Sequence, residues 1–414
     1  MTASLDISNS RPHRAKSFAQ TQQTPFSFRL FQPVIGRDLK PSYREYRALI
    51  SGLSQGDQIM DDFVEWMFSN SPKVGKQQFD QALHQGIHTV KDCPESLKRL
   101  FKHVEHTPEW FDQTLIDDAL AFIHGTGTYA NHVLRDAALM GGYLLSGFNQ
   151  ALVMTGALNK GASKRVGETY KWWIDCTEPQ GLQRFGVGFK STLHVRFIHA
   201  LVRRNLAKSE KWDSDEWGLP ICQVDMAATN LAFSVVFLSG LRALGIFATP
   251  HESKAVMHLW RYVGWLMGVD EQWLLASERE SIALLYHTTL TQSAPDWTSQ
   301  ELGKALSIEP LSRHYANLES VRRLYAYHKH LSVSRYFLGQ KKMQQLGLPK
   351  QTLPWFPLIT APINVVSYTA QRLVPTIHSA LQQRGRQAQL DMLAQFGEHG
   401  HGTIQPDKHH PAHV

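Results

Sequence analysis

The stretch Val195-Arg196-Phe197-Ile198-His199-Ala200-Leu201-Val202-Arg203-Arg204 decides how the rest of the chain is read. Wound as a helix at about 100° per residue, it brings Arg196 and Arg203 within about 60° of His199. One stripe therefore carries an imidazole between two guanidiniums, and Phe197, Ile198, Ala200, Leu201 and Val202 surround it with apolar surface. Such groups are costly to bury without an anionic and a metallic partner. Haem combines both, offering iron to the imidazole and two propionates to the arginines. The same spacing also suits a hydrogen-bonded core histidine flanked by arginines that snorkel to the surface. The stretch alone leaves both readings open.

Outward from it the pattern is helical on both sides. Upstream, Tyr46, Leu49, Ile50 and Leu53 recur at helical spacing, as do Met60, Phe63, Val64, Met67 and Phe68. Further helices are predicted over 77–90, 94–105 and 112–122, and a glycine-broken apolar segment runs from Tyr129 to Leu158, with Tyr143 and Asn149 facing whatever packs there. Ala162–Cys176 reads as one helix and Gly188–Leu206 as the helix that carries His199. Downstream, Asp225–Ile246 is a buried helix, Thr249 is an N-cap ahead of Pro250, and 277–290 and 318–337 are again periodic. Leu353–Pro362, with three prolines, reads as irregular, and Ile363–Leu381 as a last amphipathic helix suited to a membrane surface or a substrate mouth. No alternating strand pattern and no repeat occurs, so the fold class is all-α.

Three blocks carry a family resemblance. Val195–Arg203 resembles the proximal-helix motif of the oxygenases that include the latex-clearing proteins (rubber oxygenases) and the side-chain-cleaving oxygenase of mycophenolic acid synthesis. Arg165-Val166-Gly167-Glu168-Thr169 resembles that family's distal Arg-x-x-x-Thr segment, and His258-Leu259-Trp260-Arg261-Tyr262-Val263-Gly264 its later His-x-Trp-Arg-x-x-Gly block. The resemblance implies a globin-like helical core around haem b, dioxygen as co-substrate and His199 as the iron ligand. Arg196 and Arg203 would then meet the propionates. Arg335 is a third candidate for that role, with a surface position as the competing reading. His194, about 140° round the helix from His199, is the rival ligand that the motif disfavours.

On the distal side the resemblance assigns catalytic roles to Arg165 and Thr169, and Glu168 is a candidate replacement base where it faces the haem pocket. A cation and a hydroxyl one turn apart can orient dioxygen and stabilise developing charge. The bland alternative is a Lys164–Glu168 surface pair with Thr169 packed inward, worth only about 0.3–0.5 kcal/mol. Two departures stand out. Latex-clearing proteins carry a lysine immediately before the threonine, where this chain has Glu168. They also use a glutamate roughly twenty residues upstream as a proposed base, and the matching position here is Asn149, which carries no titratable proton.

The expected organisation is a disordered lead-in over 1–25, accessory helices over 26–114, a haem-binding core over 115–290, a helical cap over 291–397 and a disordered His-rich tail over 398–414. Composition bounds the partners. The net charge of +7 includes no dense basic run of a nucleic-acid arm, so that class is excluded, while a peripheral contact with anionic lipid stays open. Cys93, Cys176 and Cys222 lack Cys-x-x-Cys spacing and suit a reducing compartment. Residues 1–20 show no apolar signal region, and the run Leu231–Ile246 is interrupted by Arg242 and short for a membrane span. The expectation is a cytoplasmic oxygenase with a small apolar substrate (an isoprenoid, a lipid or an aromatic) and not extracellular rubber. A haem peroxidase or hydroxylase, and a non-catalytic haem- or lipid-binding globin-like protein, are the alternatives.

Overall fold

A computed structural model of the chain describes residues 11–23, 35–156, 161–372 and 375–397. Among the described residues there is no β-strand. The described residues form sixteen helices of seven or more residues, α1 to α16 in chain order. The N-terminal set is α1 (Tyr43–Gly52), α2 (Gln58–Ser69), α3 (Pro72–Gln85), α4 (Glu95–Glu105) and α5 (Gln113–Gly125). Next come α6, continuous through Tyr129–Asn131, His132–Leu139 and Met140–Gly142, then α7 (Ser146–Met154), α8 (Ala162–Cys176) and α9 (Val187–Ala207). The remainder are α10 (Gln223–Ala243), α11 (Pro250–Leu266), α12 (Glu278–Thr289), α13 (Trp297–Ile308), α14 (Glu319–Gln345), α15 (Trp355–Arg372) and α16 (Pro375–Ala394).

Local chemistry sets several starts. Ser42 and Glu45 close a capping box on α1, and Thr249 and Glu252 another on α11, where Pro250 occupies the first turn without costing a hydrogen bond. Asp112 accepts from the N–H groups of Thr114 and Leu115 to open α5. In α6 and α10 the middle segments, His132–Leu139 and Ala232–Val236, are wound as π-helix, which shifts the register of the side chains that follow.

The main apolar core draws on residues from Ala15 to Phe396, so the N-terminal helices are not a separate layer, and a smaller cluster joins Ile35 and Leu39 to Ala283, Tyr286 and Leu290. Phe63 of α2 and Phe79 of α3 reach Phe197 of α9, with Phe79 stacked on Phe197 at 4.6 Å between ring centroids. That contact joins the accessory helices directly to the histidine helix. Helix α10 has the length and apolar composition of a membrane span, with mean hydropathy 1.5, yet 61% of that window is buried inside the fold, as for a central core helix.

Two sequence expectations are corrected. Residues 11–23, read as part of a disordered lead-in, are packed: Arg14 is buried and holds Asp225 of α10 through two hydrogen bonds of 3.1 and 2.9 Å. Leu353–Pro362 is not irregular, because α15 begins at Trp355. Pro354 and Pro357 fall before and within its first turn, where the N–H groups have no helical acceptor, and only Pro362 removes an interior bond. The tail 398–414 and residues 1–10 lie outside the described residues.

Candidate functional site

His199 sits midway along α9, which packs against α2, α8 and α11. Its Nδ1 is buried with no hydrogen-bond partner among the described residues, and the residue as a whole is half-buried. Burial, aided by the nearby Arg203 charge, pushes its pKa down to about 4 despite Asp57. The imidazole is therefore neutral near pH 7, the form that ligates a metal.

The two arginines of the stripe are engaged by carboxylates of the chain itself. Arg196 donates from Nε and Nη2 to the two oxygens of Asp57 at 2.6 and 2.7 Å, and from Nη1 to the Leu266 carbonyl at 3.1 Å. Arg203 pairs with Asp61 at 2.5 Å and donates to the Ile221 carbonyl. Glycines make the room. A Cβ at Gly268 would stand 2.4 Å from Asp57 Oδ2, and one at Gly56 2.5 Å from Asp61 Oδ2. Gly268 also holds φ = 86°, a left-handed conformation open to glycine. Each guanidinium thus meets a carboxylate of the chain, and both pairs lock α9 to the N-terminal half of α2. Burial raises Asp61 to about 6 in spite of Arg203, because Asp57 lies beside it.

Helix α8 runs against α9, tied to it where Trp172 Nε1 donates to Thr192 Oγ1 at 3.1 Å. Glu168 and Thr169, adjacent and about 100° apart, meet different surroundings: Glu168 is buried and engaged, whereas Thr169 is exposed. Arg165 is half-buried with no ion pair or hydrogen bond among the described residues, on the same side as Thr169 four residues on. Arg165 and Thr169 thus form an open cation–hydroxyl stripe, and Glu168 does not share it. Arg335 donates to the Thr352 carbonyl and to Gln340 and meets no carboxylate among the described residues. Asn149 faces no open space. It is fully buried, and its Nδ2 donates to the Tyr143 carbonyl at 2.8 Å and to Thr298 Oγ1 at 3.2 Å, pinning α7 to α13.

The third block builds a wall. His258 Nε2 accepts from the Asp112 N–H at 2.9 Å, so α11 is fixed to the start of α5. Trp260 is fully buried, stacked on Phe233 at 4.7 Å and close to Trp172 at 5.8 Å, with its Nε1 unpartnered. Arg261 turns outward over the Trp110 ring.

A second cluster was not singled out in the sequence. His132, Asp136 and His330 place three ligand atoms within 4.8 Å of one another, all fully buried. His330 Nδ1 lies 2.6 Å from Asp136 Oδ2, and the other Asp136 oxygen accepts from Arg135 at 2.5 Å. Arg135 continues to Glu309, which also binds Arg313, while Lys329 nearby is lowered to about 8 by burial and by Arg313. Three surrounding cations oppose a further positive ion, so the cluster fits a buried charge network better than a metal centre. The sequence signal was the i,i+4 pair His132/Asp136; its third member lies 194 residues away.

These features define an all-α protein with a neutral imidazole on a central helix, unpartnered at Nδ1 among the described residues and flanked by a helix that carries a cation–hydroxyl stripe. Residues 130–363 match the family described as ER-bound oxygenase mpaB/B'/rubber oxygenase, catalytic domain, and the chain belongs to that family. It is 24% identical over 287 residues to the rubber oxygenase of Streptomyces sp. (strain K30), a match spanning 66% of this chain and 64% of that protein. The fold is similar to that of latex clearing protein LCP in the closed state, with a TM-score of 0.64 at 19% identity, covering 82% of this chain and 91% of the other.

Proposed function

We propose that the chain is a haem-dependent oxygenase that uses dioxygen on a small apolar substrate, with His199 as the iron ligand. The observation that carries the reading is the His199 imidazole, neutral near pH 7 and without a hydrogen-bond partner at Nδ1 among the described residues, inside the span matched to an oxygenase family. Haem bound there would supply an iron that takes up and activates dioxygen. No step is needed to deprotonate His199 before it ligates, because its folded state already disfavours the proton. Asp57–Arg196 and Asp61–Arg203 hold α9 at a fixed rotation, which fixes the imidazole's direction. Arg165 and Thr169 offer unengaged donors to charge that develops on oxygen. With Arg196 and Arg203 held by Asp57 and Asp61, Arg335 is the remaining propionate candidate.

Substrate chemistry follows from what the chain lacks. The position of the family's proposed isoprene-cleaving base is Asn149, whose Nδ2 is committed to structural hydrogen bonds. Cleavage that needs a carboxylate there is disfavoured, and oxidation of a smaller isoprenoid, lipid or aromatic fits better. Oxygen uptake by the hemin-loaded protein with candidate isoprenoids and fatty acids tests this. Uptake that depends on substrate and falls at least about tenfold in Arg165→Leu supports the reading. Turnover only with added hydrogen peroxide, or binding without turnover, rejects it.

A further inference from the structure

The solvent face of α15 is apolar from Leu358 to Val366. Leu358, Ile359, Pro362, Ile363, Val365 and Val366 all lie on it, with Ile363 59% and Val366 71% exposed. The opposite side packs inward: Asn364 donates to the Leu244 carbonyl and Tyr368 to the Gly125 carbonyl. The patch continues onto α14, where Tyr325 meets Trp355 at 6.1 Å between ring centroids and Val321 and Leu324 are exposed beside it. Leu353, 74% exposed, lies just ahead of α15. Contiguous exposure of this kind marks a surface that something else covers.

Charge identifies the occupant. Between Glu319 and Asp391 the chain contains ten Lys and Arg residues and no Asp or Glu, and of the ten Arg323, Arg372 and Arg386 pair with acids outside that stretch. The cations are spread out, which is why no dense run announces them. Arg322 and Lys350 are exposed at the patch edge, and Lys329 stands over the Tyr325 and Phe356 rings at 5.6 and 5.5 Å. The acids at its margin are spent, Glu319 on Arg323 and Glu252 on Arg372. A second copy of the chain would bring the same cations face to face. An anionic bilayer satisfies both halves, burying the aliphatic face in its headgroup boundary and pairing the cations with lipid phosphates.

We infer that α15 and the start of α14 dock this protein onto an anionic phospholipid surface. The inference rests on surface and charge alone and stands or falls separately from the role of His199. The test is flotation of the full chain with phosphatidylcholine vesicles, with and without about 30 mol % phosphatidylserine, at about 0.1 and 0.5 M NaCl. The expected bound fraction is at least about tenfold higher on the anionic vesicles and falls in high salt. Ile363→Glu/Val366→Glu should lose binding while keeping the parent's circular dichroism melt, and Arg322→Glu/Lys350→Glu should weaken it several-fold. Equal binding to neutral vesicles, unchanged binding by both variants, or a concentration-dependent dimer that never floats overturns the inference.

Discussion

Removing the Asp57 carboxylate should unfold the site before it disturbs any ligand. Arg196 is 1% exposed, and its guanidinium has three acceptors, two of them Asp57 oxygens at 2.6 and 2.7 Å. In Asp57→Ala the cation stays buried with one carbonyl, a situation that costs about 3–5 kcal/mol. The lost N-cap of α2 adds up to about 1 kcal/mol. Against a total stability of about 5–15 kcal/mol, that is a large fraction. Urea unfolding should show the midpoint falling with the slope preserved, and Arg196→Met on the Asp57→Ala background should recover part of the loss. If Asp57→Ala is as stable as the parent to within about 1 kcal/mol, the pair is not structural. Should Arg196→Met instead keep its stability and lose hemin affinity, Arg196 is a propionate ligand and the site is wrongly drawn.

Other outcomes are specific. Gly268→Ala should destabilise the fold, since its Cβ would stand 2.4 Å from Asp57 Oδ2 at a φ of 86°; urea titration reads it. Acid should weaken the fold through His199 and His132, both lowered to about 4 from 6.5. A lowered histidine is bound to fewer protons when folded, so its stabilisation is present above pH 6.5 and lost as pH falls toward 4, by about 3 kcal/mol each. Asp61, raised to about 6, acts in the opposite sense, losing stability as pH rises from 3.8 to 6, so the net loss on acidification is smaller than the histidines alone give. Melting temperatures between pH 4 and 7 in the parent and in His132→Gln check the sign. Under native conditions Ellman's reagent should titrate only Cys93, because Cys176 and Cys222 are buried with thiols raised well above the usual range.

Local patterns were legible where one helix supplies everything. The bounds of α8 match those read from the sequence, α9 is one residue longer at each end, and Thr249 caps α11 as its chemistry requires. What stayed hidden is what the chain brings from afar. Asp57 and Asp61 lie 139 and 142 residues before the arginines they bind, and nothing in the stripe around His199 announces them. Helical spacing placed Asn149 in a glycine-rich segment, and only tertiary contact with Thr298 shows it to be a brace. The π-wound turns of α6 and α10 alter the phase on which any 3.6-residue reading depends. Prolines misled in the other direction, since position within the first turn of α15 decides whether they break it.

The most direct measurement is the visible spectrum of purified protein loaded with hemin, with and without dithionite, in the parent and in His199→Ala. An imidazole-ligated Soret band in the parent, lost in His199→Ala but kept in His330→Ala, is the predicted result. A parent that stays colourless with hemin, or a His199→Ala protein with an unchanged band, would contradict the assignment of iron to His199.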